Sequence, residues 1–209
     1  MTVGSVTMFL ESAFDTLNKT YFENALPKAT ITVQSSPKAY GHFTTWEAWQ
    51  NNGKRSYEIN LGAETLNRPV AATIGTLIHE MVHMYCKVNG IQDTSRGGSY
   101  HNKRFKEEAE KRGLVISYDK RIGWSITEPS KELKSFVAAQ HWNGKIKMNR
   151  SYGFGEDGKG TTRKPSSTRK YICPCCGNSV RATKDVNILC YDCSDTENDV
   201  IVMYEKETA

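Results

Sequence analysis

The sequence predicts an α+β fold: a small, mostly antiparallel sheet packed on one long buried helix, followed by a basic linker and a compact cysteine module. Three observations carry that prediction. Two segments repeat apolar residues at three- and four-residue spacing, the mark of helices with one buried face. Between them lie three short runs that alternate, or are rich in β-branched and aromatic residues, separated by turn residues. Five of the six cysteines fall within residues 173–193, four of them in two CxxC pairs.

The first helix is expected over residues 5–24. Phe9, Leu10, Phe14, Leu17 and Phe22 share one stripe, and Pro27 ends it. Strands are expected at 31–34, 40–45 and 57–61, the last after a turn at Asn51, Asn52 and Gly53. A second helix lies between Pro69, suited to a first turn, and Gly90, suited to a C-terminal stop. Its wide apolar face (Ile74, Leu77, Ile78, Met81, Val82, Tyr85) makes it central. A polar, glycine-rich loop covers 91–98. A third helix is expected over 101–112, with Ser99 as cap and Gly113 as stop. Residues 114–142 predict one or two strands and a short helix near 131–140. Trp46 and Trp49 are assigned mainly to core packing, with a cleft-shaping role as the alternative. The composition then shifts to Gly, Ser, Thr, Lys and Arg, which have little to bury. The chain thus divides into a domain at 1–143, a basic flexible linker at 144–170 and a cysteine module at 171–209.

A chain of 209 residues holds one domain with a substantial core and a small appendage. At 38% hydrophobic and 24% charged, its composition is that of a globular protein. No apolar run approaches the roughly 20 residues that span a bilayer, so no membrane partner is expected. Residues 1–22 lack a basic region followed by an apolar block, and a cytoplasmic location is the expectation. In such a compartment paired cysteines point to metal rather than to disulfides. The net charge of +5 is concentrated: residues 144–170 carry eight Lys or Arg against Glu156 and Asp157, leaving the rest near neutral.

The second helix contains His79-Glu80-Met81-Val82-His83, an HExxH pattern. Residues i and i+4 share a helix face, so His79 and His83 can offer two imidazoles to one zinc ion. Glu80 stands beside the first ligand, placed to take a proton from water and pass it to a leaving amine. Two histidines and a glutamate on a buried face are hard to satisfy by core packing alone. A third ligand is needed, and His101 is best placed, after the loop and at the start of the next helix. Glu107, Glu108 and Glu110 are its rivals, though their spacing also fits a solvated face. His42 and His141 read as structural or surface residues, and Cys86 as a buried thiol. Tyr100, next to His101, is a candidate oxyanion stabiliser.

Cys173, Cys176, Cys190 and Cys193 form two CxxC pairs, each able to supply two thiolates from a tight turn to a structural zinc ion. Cys175 is left over. A segment this short buries little apolar area, so the metal supplies most of its stability.

These motifs in this order (Tyr21-Phe22, Tyr40-Gly41-His42-Phe43, Ile59-Asn60-Leu61, the HExxH helix, His101 before Phe105, then a CPxCG ribbon) resemble the SprT-like family, the bacterial and phage relatives of the Spartan DNA–protein crosslink proteases. The resemblance covers about residues 9–114 and the ribbon. It implies a zincin-like metallopeptidase fold, His79, His83 and His101 as ligands of a catalytic zinc, Glu80 as catalytic acid/base, and proteolysis of proteins on DNA. The family's usual glycine after the third histidine is Asn102 here, and the loop from His83 to His101 is long.

The basic segment adds its own argument for nucleic acid. Lys145, Lys147, Arg150, Arg163, Lys164, Arg169 and Lys170, with Lys159, Tyr152 and Phe154 among them, combine cations for phosphates with aromatics for unpaired bases. A solvated linker is the alternative reading of the same residues. The expected partners are a protein substrate and DNA, single-stranded DNA preferred, for a monomeric chain. Two other functions compete: a zinc-ribbon nucleic-acid-binding or transcription-associated regulator with little peptidase activity, and a general intracellular peptidase.

Overall fold

The computed structural model describes residues 1–36, 39–151, 168–194 and 200–205. The chain divides into two compact units, Met1–Tyr152 and Gly153–Ala209.

Helix α1 spans Val3–Tyr21. Thr2 opens it with a capping box: its Oγ1 accepts from the Ser5 N–H at 3.2 Å, and Ser5 Oγ accepts from the Thr2 N–H at 3.0 Å. The helix stops well before Pro27. Glu23 and Asn24 turn left-handed, at φ 55° and 60°. The Asn18 side chain clamps the turn by bonding both the N–H and the carbonyl of Leu26.

Five strands follow: β1 Thr30–Gln34, β2 Gly41–Phe43, β3 Trp49–Asn51, β4 Lys54–Ser56 and β5 Glu58–Gly62. The main sheet has the order β1-β5-β2. It is mixed rather than mostly antiparallel: β1 runs parallel to β5, with Thr30 opposite Glu58, and only β2 is antiparallel. The long excursion through β2 and the β3–β4 hairpin brings the chain back in its original direction, which alternating patterns cannot reveal. At the hairpin tip Asn52 and Gly53 both have positive φ, the geometry that matches strand twist. Trp46 and Trp49 are 65% and 44% exposed, not core, because the hairpin and its lead-in stand off the sheet.

Helix α2 spans Val70–Val88, with Pro69 at its N-cap rather than in its first turn. It packs against α1, β2 and β5 and against the later elements of this unit, so most of its circumference is buried. Those later elements are β6 Thr94–Ser95, β7 Tyr100–His101, α3 Lys103–Glu110, β8 Leu114–Asp119, β9 Gly123–Pro129 and α4 Lys131–Ala139. The four strands form a second sheet of order β6-β7-β9-β8. The loop expected at 91–98 therefore holds a hairpin strand, turning through Arg96, Gly97 and Gly98, all at positive φ. Helix α3 starts two residues later than expected, and its cap is Asn102, not Ser99. Asn102 Oδ1 accepts from the N–H groups of Arg104 and Phe105 at 2.8 and 3.3 Å.

Gly144 to Arg150, expected as linker, remains packed on the first unit. Ile146 is buried in its core, and the Arg150 N–H bonds the Ala63 carbonyl at 2.9 Å. A composition average hides two such anchors. In the second unit β10 Arg169–Ile172, β11 Ser179–Ala182 and β12 Tyr204–Glu205 form a small antiparallel sheet. Among the described residues, no helix is long and apolar enough to cross a membrane.

Candidate metal centres

Helix α2 presents His79 and His83 one turn apart, and β7 delivers His101 against them. The three Nε2 atoms form a triangle with sides of 3.2, 3.2 and 3.0 Å. Ligand atoms of a tetrahedral ion with bonds of about 2.0–2.1 Å stand about 3.3 Å apart, so the triangle is close to metal-ready. Phe105, fully buried on α3, backs all three rings, with centroids 4.6, 4.7 and 4.6 Å from those of His79, His83 and His101.

Hydrogen bonds fix what these nitrogens carry. Thr127 Oγ1 donates to the Ser125 carbonyl at 3.1 Å, so it accepts from His79 Nδ1–H at 2.8 Å. His83 Nδ1–H donates to Asp93 Oδ2 at 2.5 Å. Both Nε2 atoms therefore point lone pairs into the triangle. Among the described residues, His101 Nδ1 is buried without a partner. A cation would satisfy the two inward lone pairs together with His101 Nε2. Burial and the neighbouring imidazoles hold His79 well below the usual imidazole range. Burial first, then His83, brings His101 down to about 4. His79 and His101 therefore stay neutral at physiological pH, the state that binds metal.

Glu80 is buried between this triangle and strand β2. Burial raises its carboxyl to about 7, against the opposing pull of His83 and of the Phe43 N–H. Gly41 makes the approach possible. A Cβ there would stand 2.7 Å from the Asn60 carbonyl oxygen and 3.3 Å from Glu80 Oε1.

The rival ligands lie elsewhere. Glu108 pairs with Lys111 and Arg112, and Glu110 with Lys106, while Glu107 is exposed. His42 and His141 are exposed. Cys86 is fully buried, and burial pushes its thiol up to about 12. Tyr100 bonds Tyr118 through its hydroxyl at 3.2 Å, and neighbouring residues of a strand face opposite ways, so it does not serve the His101 side of β7 as an oxyanion donor.

In the second unit Cys173, Cys176, Cys190 and Cys193 bring their sulfurs within 4.8 Å of one another. Each pair sits on a tight turn, with the Gly177 N–H bonding the Cys173 carbonyl and the Cys193 N–H bonding that of Cys190. The backbone N–H of Cys176 helps hold the Cys173 thiol down to about 7. Cys175 is exposed and outside the group. Of the basic residues singled out, Lys145, Lys147 and Arg150 are exposed on the first unit, and Arg150 pairs with the buried Glu64 at 3.4 Å. Arg169 and Lys170 lie on β10. Arg163 and Lys164, with Lys159, Tyr152 and Phe154, lie outside the described residues.

Sequence reasoning missed Thr127, Asp93 and Gly123. The first two orient the histidines. Gly123, at φ 74°, lets β9 run alongside β7, where the His101 N–H bonds the Ile122 carbonyl at 2.9 Å. An Asp within the loop after HExxH was a usable signal for Asp93. Nothing local marks Thr127.

A model of the SprT-like family matches residues 10–121, more than half of the chain. No curated protein and no solved structure matches it.

Proposed function

The chain belongs to the SprT-like family, and on that premise we propose that it is a zinc-dependent metalloendopeptidase acting on DNA-associated or DNA-crosslinked proteins. The observation that carries the peptidase reading is the triangle of Nε2 atoms on His79, His83 and His101 with Glu80 on the same helix as the first two. A structural zinc site would have no use for that buried carboxylate.

A zinc ion held by the three imidazoles supplies Lewis-acid activation of water. Glu80, whose carboxyl titrates near neutrality, takes a proton from the attacking water and returns it to the leaving amine. Asp93 and Thr127 keep the His83 and His79 rings turned with Nε2 inward. Among the described residues strand β2 pairs on one side only, with β5, and its outer edge is the natural seat for an extended substrate added as a further strand. The four cysteines hold a second zinc ion with a structural role. The DNA link rests on the basic character of residues 144–170 and on the family.

The test is cleavage of a DNA-binding protein, with and without single-stranded DNA, by wild type and Glu80→Gln at equal zinc content. Cleavage by the wild type alone, stimulated by DNA, is the expected result. Two inert proteins that hold zinc and bind DNA would make this chain a zinc-stabilised binding module.

A further inference from the structure

On the far side of β7 from the His101 imidazole, Tyr100, Asn102, Lys103, Tyr118 and Trp124 line a cleft of about 450 Å³. Three strands contribute one aromatic each. The Tyr118 and Trp124 rings lie 5.1 Å apart, and Tyr118 is 49% exposed. Cations surround them. Arg96 stacks over Tyr100 at 4.5 Å and Lys106 over Trp124 at 4.3 Å. Lys103 is exposed at the rim, and the turn from β8 to β9 carries Lys120 and Arg121. The acid of that turn, Asp119, accepts from the N–H groups of Arg121 and Ile122 at 2.7 and 3.1 Å, and so serves the turn itself.

We propose that this cleft binds single-stranded nucleic acid, a base stacking on the exposed ring of Tyr118 while its phosphates meet Lys103 and Arg96. The chemistry selects the ligand. Half-exposed aromatic faces favour a flat apolar group, and the ring of cations demands negative charge beside it. A cationic peptide would be repelled by Arg96 and Lys106, which already stack on Tyr100 and Trp124. A duplex keeps its base faces stacked, so the strand must be single. Tyr100 and Asn102 flank His101, which places the bound strand one residue from a ligand of the metal triangle. The proposal rests on the reading above by naming where its nucleic acid sits. It is tested by binding alone, so a chain that fails to cleave protein leaves it intact.

The probe is an eight-nucleotide oligothymidylate titrated into the full zinc-loaded chain at low and moderate salt, read by tryptophan fluorescence and fluorescence anisotropy. Thymidine monophosphate and a duplex of equal length are the controls. Tyr118→Ala is expected to weaken binding about tenfold. Lys103→Glu should weaken it and lower the salt slope by about one. Lys19→Glu, an exposed cation on α1, should bind within about twofold of wild type. Zinc content and melting temperature verify each fold. The proposal is overturned if the oligonucleotide does not bind, if the duplex or the free nucleotide binds as tightly, or if Tyr118→Ala and Lys103→Glu both bind like wild type.

Discussion

Gly123 and His101 touch backbone to backbone: a Cβ on Gly123 would collide with the His101 carbonyl oxygen, and its φ of 74° is one that side chains resist. The third histidine of the triangle is thus seated by a residue with no side chain. Gly123→Ala should push β7 away from β9 and destabilise the chain by more than about 1 kcal/mol. Metal analysis should find zinc retained at the cysteine centre and lost from the histidine centre. Full zinc at both would show that β7 is not held by this contact.

Asp93 and Thr127 each fix one imidazole through Nδ1. Asp93→Ala and Thr127→Val should keep the fold and weaken zinc binding at the histidine centre by about 10- to 100-fold each. Competition with a chromogenic chelator measures it. A loss confined to peptidase rate, with zinc affinity intact, would assign these residues a different role.

Glu80→Gln preserves shape and removes the titrating group. Zinc content should stay at the wild-type level, and hydrolysis should fall by a factor of about 10² to 10⁴ or more. Residual activity within tenfold of wild type would exclude Glu80 as the proton carrier.

Glu64 is buried, accepting from Ser35 Oγ at 2.5 Å and the Ser36 N–H at 3.1 Å, and paired with Arg150. The Ser35 hydrogen bond leads the effects that hold its carboxyl below the usual range. The folded chain therefore binds fewer protons here than the unfolded one. The stability this confers is present above pH 4.5 and is lost as pH falls through the folded value. Glu64→Gln should cost about 1–3 kcal/mol at pH 7. Urea midpoints of variant and wild type should converge near pH 3.

Among the described residues, the buried apolar set of the second unit is Tyr171, Cys173, Cys190 and Met203, so half of it is thiol. Chelation, or Cys176→Ser, should leave residues 169–205 open to protease while the first unit keeps its protection. Equal resistance with and without metal would show that the small sheet holds by itself.

Much of the candidate site was legible because it is local. His79, Glu80 and His83 occupy one helix whose apolar period is unmistakable, and each CxxC pair closes within one turn. His101 was legible only as the best of several candidates. Its placement at the start of a helix was wrong by one element, since Asn102 caps α3 and leaves His101 in a strand. The parallel pairing of β1 with β5 was illegible, because alternation marks a strand without its direction.

By itself, the sequence determined the pairing of His79 with His83 on one helix face, the two CxxC turns, the central helix and the separate cysteine module. Helical period and turn chemistry act over a few residues and are written there. Tertiary structure alone decided which histidine completes the triangle, that Asp93 and Thr127 orient its partners, and that Tyr100, Tyr118 and Trp124 meet in one cleft. His79 and Thr127 are 48 residues apart, and they meet only because β9 packs on α2. Such contacts depend on strand order and on the close passage that Gly123 permits, which no local period encodes.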